Sequence, residues 1–157
     1  MRLFVLSIVL VLSVAAEQAS GLDIVPTYDS SVTSLANAAQ WESAFEAAIQ
    51  EFENAFSDPI TINITLKANT GTSIFGHSNY SVHNTYSFAQ IRSALQIHAT
   101  TASDAAATAS LGSDPTIGGN FVLNDAQAKA LGFRTANNPA SDGTVTIGSG
   151  TVSRSTR

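Results

Sequence analysis

Residues 36–56 read ANAAQWESAFEAAIQEFENAF, and Trp41, Phe45, Ile49, Phe52 and Phe56 recur there at spacings of four, four, three and four. With about 3.6 residues per turn, that spacing lines five large apolar side chains along one stripe of a helix. Glu42, Glu46, Gln50 and Glu53 fall on the opposite face, which is expected to meet water. A lone helix in water does not hold itself together; its stability comes from packing the apolar face on another element. The chain therefore has to supply a sheet for this stripe to lie on.

A sheet is predicted on both sides of the helix. After the break at Asp58-Pro59, ITINITLK alternates Ile60, Ile62, Ile64 and Leu66 with Thr61, Asn63, Thr65 and Lys67, the period-two pattern of a half-buried strand with Asn63 pointing outward. Before the helix, LDIVPTYD reads as a shorter strand, and Pro26 assigns it to a sheet edge or a strand end. Residues 69–85 are rich in Gly, Ser, Asn and His and read as a long loop. In SFAQIRSALQIHA, Phe88, Ile91, Leu95 and His98 share the face of a second helix, capped by Thr85 or Ser87. A weaker helix is expected from Ser103, and a short one after Asn124, closed by Gly132. Asp142-Gly143 then turns into a strand over Thr144 to Ile147. The expected fold class is α+β: a mixed β-sheet with amphipathic helices packed on it.

The amino terminus has a different character. One arginine precedes an apolar run from Leu3 to Ala16, followed by small residues. That is the pattern of a cleavable signal peptide over residues 1–16, with Gly21 as the latest cleavage point. The run is too short for a membrane span, which needs roughly 20 apolar residues, so the expected location is secreted or periplasmic, with no membrane contact after cleavage. Removing Arg2 with this segment leaves twelve carboxylates against six basic residues, a net charge of −6. An acidic chain without a basic stripe argues against nucleic acid as partner. There is no cysteine, so the oxidising compartment is not used for disulfides. Residues 17–150 are expected to form one α+β domain, followed by an irregular tail at 151–157.

Residue type and spacing decide which side chains could be reactive. His77 and His83 are ligand types, but a separation of six does not place two imidazoles on one helical face, and no third ligand lies nearby in sequence. They read as loop residues. His98 reads as a partly buried imidazole near a helix C-terminus. Glu42 and Glu46, at i and i+4, have the residue types for divided acid and base roles, but on a water-facing side nothing separates their pKa values. Asp142 is explained by the turn. Around Ser149 the G-x-S-x-G pattern fails, because Thr151 stands where glycine is required. Ser149 also stands where a phosphate loop needs lysine. Asp104, Asp114 and Asp125 lack the ligand spacing of a calcium hand, and the sequons at Asn63 and Asn79 are read as chance. No catalytic, cofactor-binding or metal-ligating residue is assigned.

The set LDIVPTYDSSV, FSDPITINITL, YSFAQIRSAL, SDAAATASL, AKALGF and DGTVTIGSG resembles the amino-terminal half of secreted bacterial metzincin-like zinc metalloproteases, over nearly all of the chain between the signal segment and Gly150. The resemblance implies the upper, amino-terminal subdomain of a zincin-like fold. In that family the strand after the turn leads into a helix bearing HExxH, where two imidazoles hold zinc and the glutamate activates water. This sequence departs from the pattern at TVSRSTR, and no position matches the zinc motif. The resemblance thus implies a metalloprotease-like scaffold, truncated or degenerate, inactive alone, with zinc expected only in a full-length relative. Its expected partner is the carboxy-terminal catalytic half or another protein. The alternative is an exported, non-catalytic binding or surface module for glycans or protein.

Overall fold

A computed structural model of the chain describes residues 21–69 and 75–148. Residues 1–16, read above as a signal peptide, together with Ser149 and residues 151–157, lie outside the described residues.

The first elements follow the sequence pattern closely. Strand β1 (Asp23–Tyr28) leads into a one-turn helix α1 (Ser30–Thr33), whose N-cap Asp29 accepts from the Ser31 N–H at 2.9 Å. Helix α2 (Ala38–Ala55) and strand β2 (Thr61–Asn69) come next. Between two parallel strands a helical crossover of this length is what the geometry requires, and β1 and β2 pair in parallel with Ile24 opposite Ile62 and Tyr28 opposite Leu66. Strand β6 (Gly143–Gly148) adds to β2, again in parallel, with Val145 beside Leu66 and Ile147 beside Ala68.

The stretch read as a loop contains two strands, which corrects that expectation. Strand β3 (Gly76–Tyr80) pairs antiparallel with β6, completing a four-stranded sheet in the order β1-β2-β6-β3. Strand β4 (Val82–Ser87) pairs antiparallel with β5 (Asn120–Asn124) in a separate two-stranded sheet. GHSNY in β3 carries no apolar alternation because all five residues are exposed; backbone pairing alone makes it a strand.

Three helices accompany the small sheet, each opened by a capping box. In α3 (Phe88–Ile97), Ser87 is the cap, with Gln90 as its partner. In α4 (Ala102–Ala109) the cap is Thr101 with Asp104, so the helix starts one residue before the expected Ser103. In α5 (Asp125–Ala130) it is Asn124 with Gln127, and Gly132 follows with φ +71°, the left-handed conformation that glycine adopts freely. Phe88 and Phe121 lean together at 6.3 Å between α3 and β5.

The core lies between the main sheet and its helices. Val32 and Leu66 are fully buried beside Ala68, with Tyr28, Leu35, Trp41, Phe45 and Val145 packed around them. The stripe on α2 is only partly covered: Ile49 is buried, Trp41 and Phe45 are half-buried, and Phe52 is 56% exposed. The reason is placement, since α2 packs mainly over β1 and α1, and on β6 Ile147 stays 38% exposed. The molecule is therefore α+β, with a mixed sheet and several helices. Among the described residues no helix is long and apolar enough to cross a membrane.

Candidate functional site

Two features stand out once the elements are in place: a trough along α2, and a pair of charged clusters joining the two sheets. The trough has two adjoining parts. One, of about 370 Å³, is walled by Phe45, Ile49 and Phe52 over a floor of Ile62, Ile64 and Val145. The other, of about 430 Å³, runs on past Trp41, Ala44 and Ala48 to Leu66 and Ile147. Residues of β2 and β6 in register face the same side of the sheet, so the floor is one continuous apolar surface. Its polar end is formed by Asn79, Tyr80, Asn124 and Asp142.

Asp142 was expected to serve only the turn, and that reading is corrected. The residue is 3% exposed, and its Oδ2 accepts from Lys129 Nζ at 2.6 Å and from the Asn63 N–H at 2.8 Å. Lys129, 2% exposed, donates its other protons to the carbonyls of Thr61 at 2.8 Å and Asn138 at 3.1 Å. All three ammonium donors are used, which is what permits a lysine to be buried at all. The pair ties α5 and the 135–142 segment to the start of β2. Asn63 belongs to the same joint: its Nδ2 donates to the Asn138 carbonyl at 3.0 Å, so it is half-buried rather than pointing freely outward. An ammonium committed to three acceptors is a structural clamp and not a nucleophile.

The second cluster centres on Asp125, 5% exposed at the start of α5. Its Oδ1 is paired with Arg134 Nη1, and His83 Nδ1 lies 3.3 Å away. His83 is thus in β4 and held, not in a loop. Its ring stacks on Tyr86 at 6.3 Å, and Tyr86 stacks on Phe133 at 4.0 Å. A carboxylate against the imidazole Nδ1 is the orienting half of a hydrolase triad. No serine or threonine hydroxyl among the described residues is hydrogen-bonded to His83, and Arg134 already balances Asp125, so the arrangement joins β4 to α5.

The remaining candidates are scattered. His77 is exposed on β3. His98 is exposed at the C-cap of α3 rather than partly buried, and its Nε2 lies 3.0 Å from where a Cβ on Gly132 would stand. Among the described residues no three His, Asp or Glu side chains are grouped so as to hold a metal ion. Glu46 does not simply face water. It accepts from the Tyr28 hydroxyl at 2.6 Å, and burial together with that bond pushes the phenol well above its ordinary pKa. Glu53 accepts from the Ile24 N–H at 2.8 Å. Asp104 and Asp114 are capping and turn residues: bonds from Thr101 to the first, and from Thr116 and Gly118 to the second, hold both carboxyls below their usual range.

Sequence reasoning missed Lys129, Asp142 and Arg134 as interacting groups. A trace was present, because Asp125, Ala128 and Lys129 share one face of α5 and a lysine among small residues there signals a buried partner. No family model matches this chain, and neither a curated protein nor a solved structure matches it.

Proposed function

We infer that residues 21–148 are a non-catalytic scaffold domain of a secreted, metalloprotease-like protein, equivalent to the sheet-bearing amino-terminal subdomain of a zincin-like fold and inactive alone. The observation that supports this is the shape of the main sheet and its cover. Three parallel strands carry one antiparallel edge strand, α2 lies to one side, and an apolar trough is left over Ile64, Val145 and Ile147. A further helix laid there would cover the trough. On this reading zinc is held by that further helix and not by this domain.

Genomic sequence downstream of the codon for residue 157 tests the reading. A stretch encoding HExxH in any frame supports it, and its absence favours the alternative, an exported binding or surface module for glycans or protein. One observation supports that alternative: Tyr80 on β3, Val82 on β4 and Val122 on β5 are 66, 58 and 59% exposed, as at contact surfaces.

A further inference from the structure

The two edges of the main sheet are finished differently. On β1, Asp23 donates to the Ile60 carbonyl, so Ile24 and Pro26 are the first positions whose backbone faces away from the sheet. Glu53 accepts the Ile24 N–H at 2.8 Å, and Pro26 has none to offer. That edge is closed, as natural edge strands usually are.

On β3 no described residue closes it. The bonds Ser81 N–H to Asp142 carbonyl and Gly148 N–H to Phe75 carbonyl, both 3.0 Å, fix which residues turn toward β6. By the antiparallel alternation these are the odd-numbered ones. Gly76, Ser78 and Tyr80 therefore point their N–H and C=O groups outward, and none of these groups is hydrogen-bonded to another described residue. The strand has no lysine, carboxylate or proline, the usual guards against strand addition.

We propose that this edge pairs with β3 of a second copy, antiparallel about a two-fold axis through Ser78. The free groups select the register. With Ser78 opposite Ser78 of the other copy, and Gly76 opposite Tyr80 in both directions, all the outward N–H and C=O groups of Gly76, Ser78 and Tyr80 are satisfied together. A shift of two residues leaves some of them unpaired.

Side chains favour the same register. Gly76, Ser78 and Tyr80 share the sheet face of Ile147 and Val145, so the Tyr80 ring of each copy lies over the bare Gly76 of the other and beside Ile147. Tyr80 is 66% and Ile147 38% exposed, and both gain cover. An aromatic side chain opposite a glycine is a recognised way of shielding it. The proposal stands on the β3 edge alone and does not depend on the functional reading above. Pairing of so short a strand belongs to the small-interface class, so the dimer is concentration-dependent.

Sedimentation equilibrium of the purified protein tests this. The wild type is expected to show a monomer–dimer equilibrium. Ser78→Pro removes the two central bonds while sparing the bonded His77 and Asn79, and is expected to raise the dissociation constant about 30-fold. Ser78→Lys and Ser78→Asp each place like charges opposite one another and are expected to be monomeric alone and to dimerise when mixed. Circular dichroism checks that each variant keeps the fold. A wild type that is monomeric at all concentrations, with or without an added extended peptide on β3, overturns the proposal. So does a dimer that persists unchanged in folded Ser78→Lys, which would place the association in the trough.

Discussion

Lys129 and Asp142 lie thirteen positions apart in sequence and 2.6 Å apart in space, and between them they fix how α5 and the 135–142 segment meet β2. Breaking such a pair from one side leaves an uncompensated buried charge, so Lys129→Met is expected to cost about 3–5 kcal/mol. Replacing both residues by apolar ones of similar volume should recover much of that loss. Urea unfolding of the single and double variants checks it; equal costs would show that lost packing, not the stranded charge, is responsible. The exposed carboxylates behave differently. Bonds from Ser31, Thr101 and Thr116 hold the folded-state pKa values of Asp29, Asp104 and Asp114 below the unfolded value of about 3.9. Their stabilisation is complete above that value and is lost as pH falls through the lower, folded-state values. An NMR titration should find the Asp104 midpoint below the ordinary one, and Thr101→Ala should move it upward. An unmoved midpoint would leave the Thr101 backbone N–H, which donates to Asp104 Oδ2 at 2.9 Å, as the cause rather than its hydroxyl. Little of this was legible in the sequence beyond the lysine among small residues on α5, because Asp142 beside glycine already had a sufficient local explanation.

Elements were legible where apolar residues recur and obscure where they do not. The stripe from Trp41 to Phe56, the alternation from Ile60 to Leu66, and Pro26 at an edge all correspond to α2, β2 and β1. Strands β3, β4 and β5 escaped notice because GHSNY, VHNTYS and NFVLN are short, with β3 exposed throughout and β4 half exposed, so their pairing is specified by backbone hydrogen bonds and by neighbours distant in sequence. Caps were readable in type though not always in position. Ser87 supplies both halves of a capping box with Gln90, and Ser87→Ala is expected to cost about 1 kcal/mol in thermal or urea unfolding. Gly132 combines positive φ with a Cβ position 3.0 Å from His98. Gly132→Ala should therefore destabilise by about 1 kcal/mol or more, while pairing the same change with His98→Ala should relieve only the steric part. Full recovery in the double variant would mean that the backbone conformation carries no strain.

On the scale of the whole molecule, the account rests on the apolar trough left between α2 and the floor of β2 and β6. An apolar floor of this kind should bind a hydrophobic dye. Ile147→Glu, at a position already 38% exposed, should weaken that binding without unfolding the chain; unchanged dye binding would place the dye elsewhere. Legibility at this scale was mixed. That Val145 and Ile147 lie on the face needing cover was readable from the strand pattern, whereas the incomplete burial of Phe52 was not, because a helix stripe does not say how far its sheet extends beneath it. The central claim is that this domain is scaffold and that zinc chemistry belongs to a further helix. Metal analysis of the purified protein after dialysis, with casein hydrolysis assayed before and after adding zinc, addresses it most directly. The account predicts no stoichiometric zinc and no hydrolysis in either condition. One tightly held zinc per chain, lost when His77 and His83 are both replaced by alanine, would contradict it and make the chain a metalloenzyme in its own right.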